Sequence, residues 1–135
     1  MKGYLLQKKV LDPGQKVFLD SYSPENSYGV AFEDDGESGY FYALEKTAQS
    51  NQPRILDALH IFESAERMDD NKPVELMIVW TTDWLKCALI LDGSCHALFD
   101  FENQGGYNIN EFPPPNSFWT KHNRKLTTEI IQSIF

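Results

Sequence analysis

The chain has 135 residues, 41% hydrophobic and 24% charged, with a formal net charge of −8. That is the composition and length of one folded domain, 1–135, long enough to bury about two-thirds of its unfolded surface without staples. No apolar run approaches the ~20 residues of a membrane span, and Met1-Lys2 leads into a polar-interrupted strand pattern rather than a signal peptide. The charge is unevenly spread. Residues 17–111 hold 18 acids against five bases, whereas residues 1–16 carry four lysines against Asp12, and 112–135 carry Lys121, Arg124 and Lys125 against Glu129. Phosphate backbones are bound by Lys and Arg, so an acidic middle argues against direct nucleic-acid binding. It suits a basic protein partner, or simply solubility.

In chain order, Tyr4, Leu6 and Val10 alternate with polar residues before the turn Asp12-Pro13-Gly14. Lys16 to Tyr22 reads as a strand, and Ser23 to Ser27 as a loop. Tyr28 to Asp34 is a strand with Tyr28, Val30 and Phe32 on one face, and 34–39 forms a two-glycine turn into a return strand at Tyr40 to Leu44. Ile55, Leu59, Phe62 and Ala65, joined by Ala58 and Met68, follow a 3–4 spacing that predicts a helix over 54–67. The run 55–62 is apolar on both parities and also fits a strand. Val74 to Trp80, Trp84 to Leu91 and Ser94 to Phe101 read as strands. A two-residue turn at Asp92-Gly93 sets a register pairing Leu91 with Ser94, Ala88 with Ala97 and Leu89 with His96. Both faces of that hairpin are apolar, so it is expected to be covered on both sides. Tyr107 to Phe112 reads as an edge strand, Pro113-Pro114-Pro115 as an extended surface segment, and Leu126 to Phe135 as a helix. The expected fold class is α+β, a mostly antiparallel sheet of about six or seven strands with a mid-chain helix and a C-terminal helix.

Chemistry-bearing constellations are sparse. Cys87 and Cys95 fall on opposite faces of the hairpin, which forbids a disulfide and suits free thiols. No CxxC or HxxxH spacing is present, so no metal site is expected. Asp57 and His60, three apart on the predicted helix, resemble two parts of a nucleophile triad, but no Gly-x-Ser-x-Gly elbow supplies the third. Asp34-Asp35-Gly36-Glu37 departs from a calcium loop in its glycine and glutamate positions and reads as a charged hairpin tip. His96 reads as a core histidine, and with no phosphate-binding glycine motif no cofactor is expected. The aromatic residues read as core.

Several stretches resemble a bacterial family, the domain of unknown function 2251. They are 28–37 (YGVAFEDDGE), 39–43 (GYFYA), 55–61 (ILDALHI), 78–80 (IVW), 96–101 (HALFDF), Gly106-Tyr107 and 112–115 (FPPP), spanning residues 28 to 115. The resemblance implies a cytoplasmic bacterial protein and carries over no catalytic residue. In size, acidity and lack of motifs the chain is also similar to immunity proteins of contact-dependent growth inhibition and other polymorphic toxin systems. The function expected first is therefore a non-enzymatic inhibitor that binds a cognate basic toxin domain, with no nucleic-acid or membrane partner. The partner would meet the acidic residues Glu33, Asp34, Asp35 and Glu37 of the hairpin tip and Asp69 and Asp70 of a loop. A housekeeping small-ligand or protein-binding module is the alternative, and a hydrolase using Asp57 and His60 the third.

Overall fold

Nine strands and one helix form among residues 3–63 and 72–134, the part of the chain described by the computed structural model. The strands are β1 (Tyr4–Leu11), β2 (Val17–Tyr22), β3 (Tyr28–Asp34), β4 (Ser38–Glu45), β5 (Arg54–Glu63), β6 (Val74–Trp80), β7 (Lys86–Leu91), β8 (Ser94–Asp100) and β9 (Gly105–Asn108), followed by helix α1 (Thr128–Ile134). All strand pairings are antiparallel. They build a five-stranded sheet in the order β1-β6-β7-β8-β9 and a four-stranded sheet in the order β2-β3-β4-β5.

The two sheets share one core. Alternation places Val30, Phe32, Phe41 and Leu59 of the smaller sheet, each fully buried, against Ile78, Trp80, Leu89 and Phe99 of the larger one. Aromatic rings form its centre: Trp80 stacks on Phe101 at 5.8 Å, and Phe41 on Phe99 at 5.1 Å across the two sheets. The indole N–H of Trp80 donates to the Ser21 hydroxyl at 3.0 Å, a second cross-sheet tie. The outer face of the larger sheet is covered as well. Val79, Ala88, Ile90 and Leu98 lie under Leu126 and the α1 residues Ile130 and Ile134. The central hairpin β7-β8 is thus covered on both sides, as its sequence predicts.

The structure corrects four expectations. Residues 54–63 are strand β5, not helix, and residues 64–67 lie outside the described part. No mid-chain helix remains among the described residues. Two bulges in the β4-β5 pairing, at Leu56 and Ile61, break the period of two. Leu56, Leu59 and Phe62 therefore reach the core at helix-like spacing. The strand count rises to nine, and the last strand is Gly105–Asn108 rather than 107–112. Leu91 does pair with Ser94, but a bulge at His96 pairs Leu89 with Ala97 and Ala88 with Leu98. His96 is consequently not a core histidine: it is half-buried, with Nδ1 against the Ser94 carbonyl at 2.9 Å. Cys87 and Cys95 still fall on opposite faces, one in each core, and both are free.

Candidate functional site: the uncovered face of the smaller sheet

Register places three rows of side chains on the outer face of the four-stranded sheet. Across β2-β3-β4-β5 they read Phe18, Glu33, Tyr40, His60; then Asp20, Ala31, Tyr42, Ala58; then Tyr22, Gly29, Leu44, Ile55. No helix lies on this face among the described residues. Phe18 and Ile55 are each 61% exposed. A groove of about 370 Å³ runs between them, floored by Ala31 and Leu44 and lined by Asp20, Tyr22, Glu33 and Tyr42. A second, of about 310 Å³, continues from Phe18 and Glu33 to Lys16 and Asp35. Gly29 is required here: a Cβ would run into the ring of Tyr22, which lies over it.

The charges on this face are unequally matched. Arg54 is paired with Glu45 at 2.5 Å, and the Lys46 ammonium lies 4.6 Å above the Tyr22 ring. Lys16 is a charge neighbour of Asp35. Glu33 Oε1 accepts the Tyr42 hydroxyl at 3.3 Å. Burial, then Glu33, push the Tyr42 phenol up from its ordinary value, so it stays a neutral donor. Among the described residues neither Glu33 nor Asp20 has an ion-pair partner.

The sequence-predicted acids divide. Glu33 lines both grooves and Asp35 one of them. Glu37 is exposed at the turn. Asp34 corrects the expectation of a wholly exposed tip: it is on the inward parity of β3, 3% exposed, and its Oδ1 accepts the Gly36 N–H at 3.0 Å. Asp35 is exposed but its Oδ1 is spent on the turn, accepting the Ser38 and Glu37 N–H groups, which hold its carboxyl below the usual range. Asp69 and Asp70 lie outside the described residues. Asp20, Phe18 and Tyr42 were missed. Their signal was available as the alternation of β2 and β4, but which parity faces outward, and that nothing covers it, are tertiary facts.

Asp57 and His60 are not brought together. Asp57 is buried at the seam between β5 and β9. Its Oδ2 accepts the Thr120 hydroxyl at 2.5 Å, and its Oδ1 accepts Arg124 Nη2 at 3.3 Å and the Ala58 N–H at 2.8 Å. Thr120 Oγ1 in turn accepts the Gly106 N–H at 3.0 Å. His60 projects from the other face. The Phe112 N–H donates to Asn110 Oδ1, which turns the Asn110 amide nitrogen to His60 Nδ1 at 2.7 Å. Nδ1 is therefore the acceptor, and Nε2–H donates to Glu63 Oε1 at 2.8 Å. Both imidazole nitrogens are engaged, which leaves no lone pair for a general base. Among the described residues no group of three or more His, Cys, Asp or Glu is placed to hold a metal ion, and no helix is long and apolar enough to cross a membrane.

Comparison with known proteins agrees with the resemblance and extends it at both ends. A protein of Haemophilus influenzae (strain ATCC 51907 / DSM 11121 / KW20 / Rd), named only as an uncharacterized protein, is 41% identical over 96 residues, 70% of this chain and 58% of that protein. The chain thus spans less than two-thirds of that relative's length. No solved structure matches. Residues 11–135, from the end of β1 onward, match the family described as uncharacterized protein conserved in bacteria (DUF2251), and the chain belongs to that family.

Proposed function

We propose that this protein is a non-enzymatic binding protein that neutralises a basic protein domain, such as the toxin domain of a polymorphic toxin system, in the bacterial cytoplasm. The observation that carries the reading is the outer face of the four-stranded sheet, which no helix covers among the described residues. The larger sheet buries its outer face under α1, whereas this one leaves Phe18, Tyr42 and Ile55 beside the carboxylates Asp20 and Glu33, which have no ion-pair partner among the described residues. Exposed apolar area rimmed by polar and charged groups is the composition of a protein-binding surface. The acidic middle of the chain adds long-range attraction for a cationic partner.

The test is co-expression with the product of the adjacent gene. Wild type should restore growth and co-purify with that product in a salt-sensitive complex, and Phe18→Asp combined with Glu33→Lys should do neither while remaining folded. Co-purification through this face with a harmless basic protein would favour the housekeeping module instead. Rescue unaffected by the double variant would remove the face from the interface.

A further inference from the structure

We infer that the groove between Phe18 and Tyr42 is an arginine-accepting site, and that the cationic partner inserts an arginine guanidinium there. The inference rests on the binding reading above and names the group that reading leaves open. Three observations lead to it.

The first is where the unpaired acids stand. Asp20 is opposite Ala31 and Glu33 opposite Phe18, so the two carboxylates are diagonal neighbours on adjacent antiparallel strands. Such positions are about 7–8 Å apart at the backbone. An ammonium concentrates its three donors on one atom, which limits its reach between carboxylates so spaced. A guanidinium presents five N–H donors in a flat fork and can reach both. Glu33 Oε1 already takes the Tyr42 hydroxyl, which orients the carboxylate and leaves Oε2 for a ligand.

The second is the shape of the walls. Phe18 is 61% exposed, and no ring stacks on it among the described residues. Tyr42 forms part of the opposite wall and Ala31 the floor, so the groove is flat-sided and open at the top. Aromatic faces attract cations, arginine more often than lysine because the planar group also stacks.

The third is the behaviour of the chain's own cations. Lys46 has settled on the ring of Tyr22 at the end of the same face, 4.6 Å above its centroid. Arg54 has taken Glu45, and Lys16 lies beside the turn at Gly36. Among the described residues these cations border the face at its rim, and the centre keeps the carboxylates of Asp20 and Glu33 beside Phe18 and Tyr42.

The test uses the whole chain and three capped hexapeptides, of arginine, of lysine and of citrulline, titrated calorimetrically at low salt. Arginine peptide should bind roughly tenfold more tightly than lysine peptide, because a fork bonded to carboxylates is the stronger contact. The neutral citrulline peptide should not bind. Asp20→Asn with Glu33→Gln should abolish the preference, and Phe18→Leu should weaken arginine binding more than lysine binding. Both variants alter outward-facing positions, and circular dichroism is the check that they fold. Equal affinity for arginine and lysine, lost together in Asp20→Asn/Glu33→Gln, would overturn arginine selection while leaving the cation-binding face intact. Peptide binding that survives those substitutions would overturn the site itself. Wild type that binds none of the peptides would overturn the inference too, and growth rescue then decides the broader reading separately.

Discussion

At the scale of single residues, carboxylates three positions apart in the hairpin tip do different work. Asp34 faces inward and caps the turn, so Asp34→Ala leaves the Gly36 N–H without that acceptor and should cost about 1–3 kcal/mol. Glu37 is exposed, and Glu37→Ala should stay within about 0.5 kcal/mol. Chemical denaturation of the two variants separates these outcomes, and equal costs would show that Asp34 is not an integral part of the turn. Asp83 provides a pH-dependent case. Its Oδ1 accepts the Thr81 hydroxyl at 2.6 Å and the Leu85 N–H at 3.0 Å, with Lys86 nearby, and its carboxyl is held below the ordinary value. A depressed carboxyl pKa contributes stability above the unfolded value of about 3.9, and that contribution fades as the pH falls through the folded value. Asp83→Asn should therefore melt below wild type at pH 7, and the gap should narrow in acid. A gap constant with pH would remove the carboxylate's charge from the explanation.

At the scale of elements, β5 is an edge strand whose free side is closed by side chains rather than by another strand. Asn116 donates to the Leu56 carbonyl at 3.3 Å, Arg124 to Ala58 at 3.3 Å and Asn108 to His60 at 2.9 Å, while the His60 N–H donates to the Phe112 carbonyl at 2.9 Å. An edge so covered offers no template to a second chain. The buried Asp57–Arg124 pair fastens this seam, with both residues 5% exposed or less. Arg124→Met strands a buried carboxylate and should cost about 3–5 kcal/mol. Adding Asp57→Leu should recover part of that loss, and a strictly additive double variant would argue against the pair. The hairpin β7-β8 makes a further prediction. Cys87 is buried in the inter-sheet core, and burial raises its thiol pKa well above the ordinary value. Cys95, on the α1 side, is pushed up to about 11. Thiolate is the reactive form, so a thiol reagent at pH 8 should label both slowly in the native protein and both quickly in denaturant. A bond between them would leave neither reactive.

At the scale of the whole molecule, one core joins both sheets, so the sandwich should unfold as a unit. Trp80 and Trp119 are buried in that core and Trp84 packs on it. Tryptophan fluorescence and far-ultraviolet circular dichroism should therefore report the same midpoint. Two separated midpoints would mean that the sheets melt independently. The described residues are also asymmetric: one outer sheet face is covered by α1, and no helix among them covers the other. That asymmetry, with the acidic excess of residues 17–111, is what the proposed cationic partner would meet.

Local rules sufficed for the strands that obey them. β3 and β6 begin and end where alternation and turn residues place them, and the Asp92-Gly93 turn, with both residues at positive φ, joins β7 to β8 as its composition requires. The aromatic core, the separated cysteines and the C-terminal helix were legible for the same reason: each depends on period, turn chemistry or parity within a few residues. β5 was not legible, because its bulges are imposed by the strand it pairs with and give a strand the spacing of a helix. The candidate site was half legible. Glu33 could be picked out as acidic near a turn, but Asp34 beside it points inward by parity, which depends on which face meets the other sheet. Phe18 and Asp20 of β2 come together with Tyr42 of β4, at most 24 residues away in sequence, and only the pairing of β2, β3 and β4 makes them one groove. Composition determined that this would be an acidic, aromatic-cored sheet protein. Which acids are paired and which sheet face is covered among the described residues was decided by tertiary packing, since burial and charge neutralisation depend on neighbours distant in the chain.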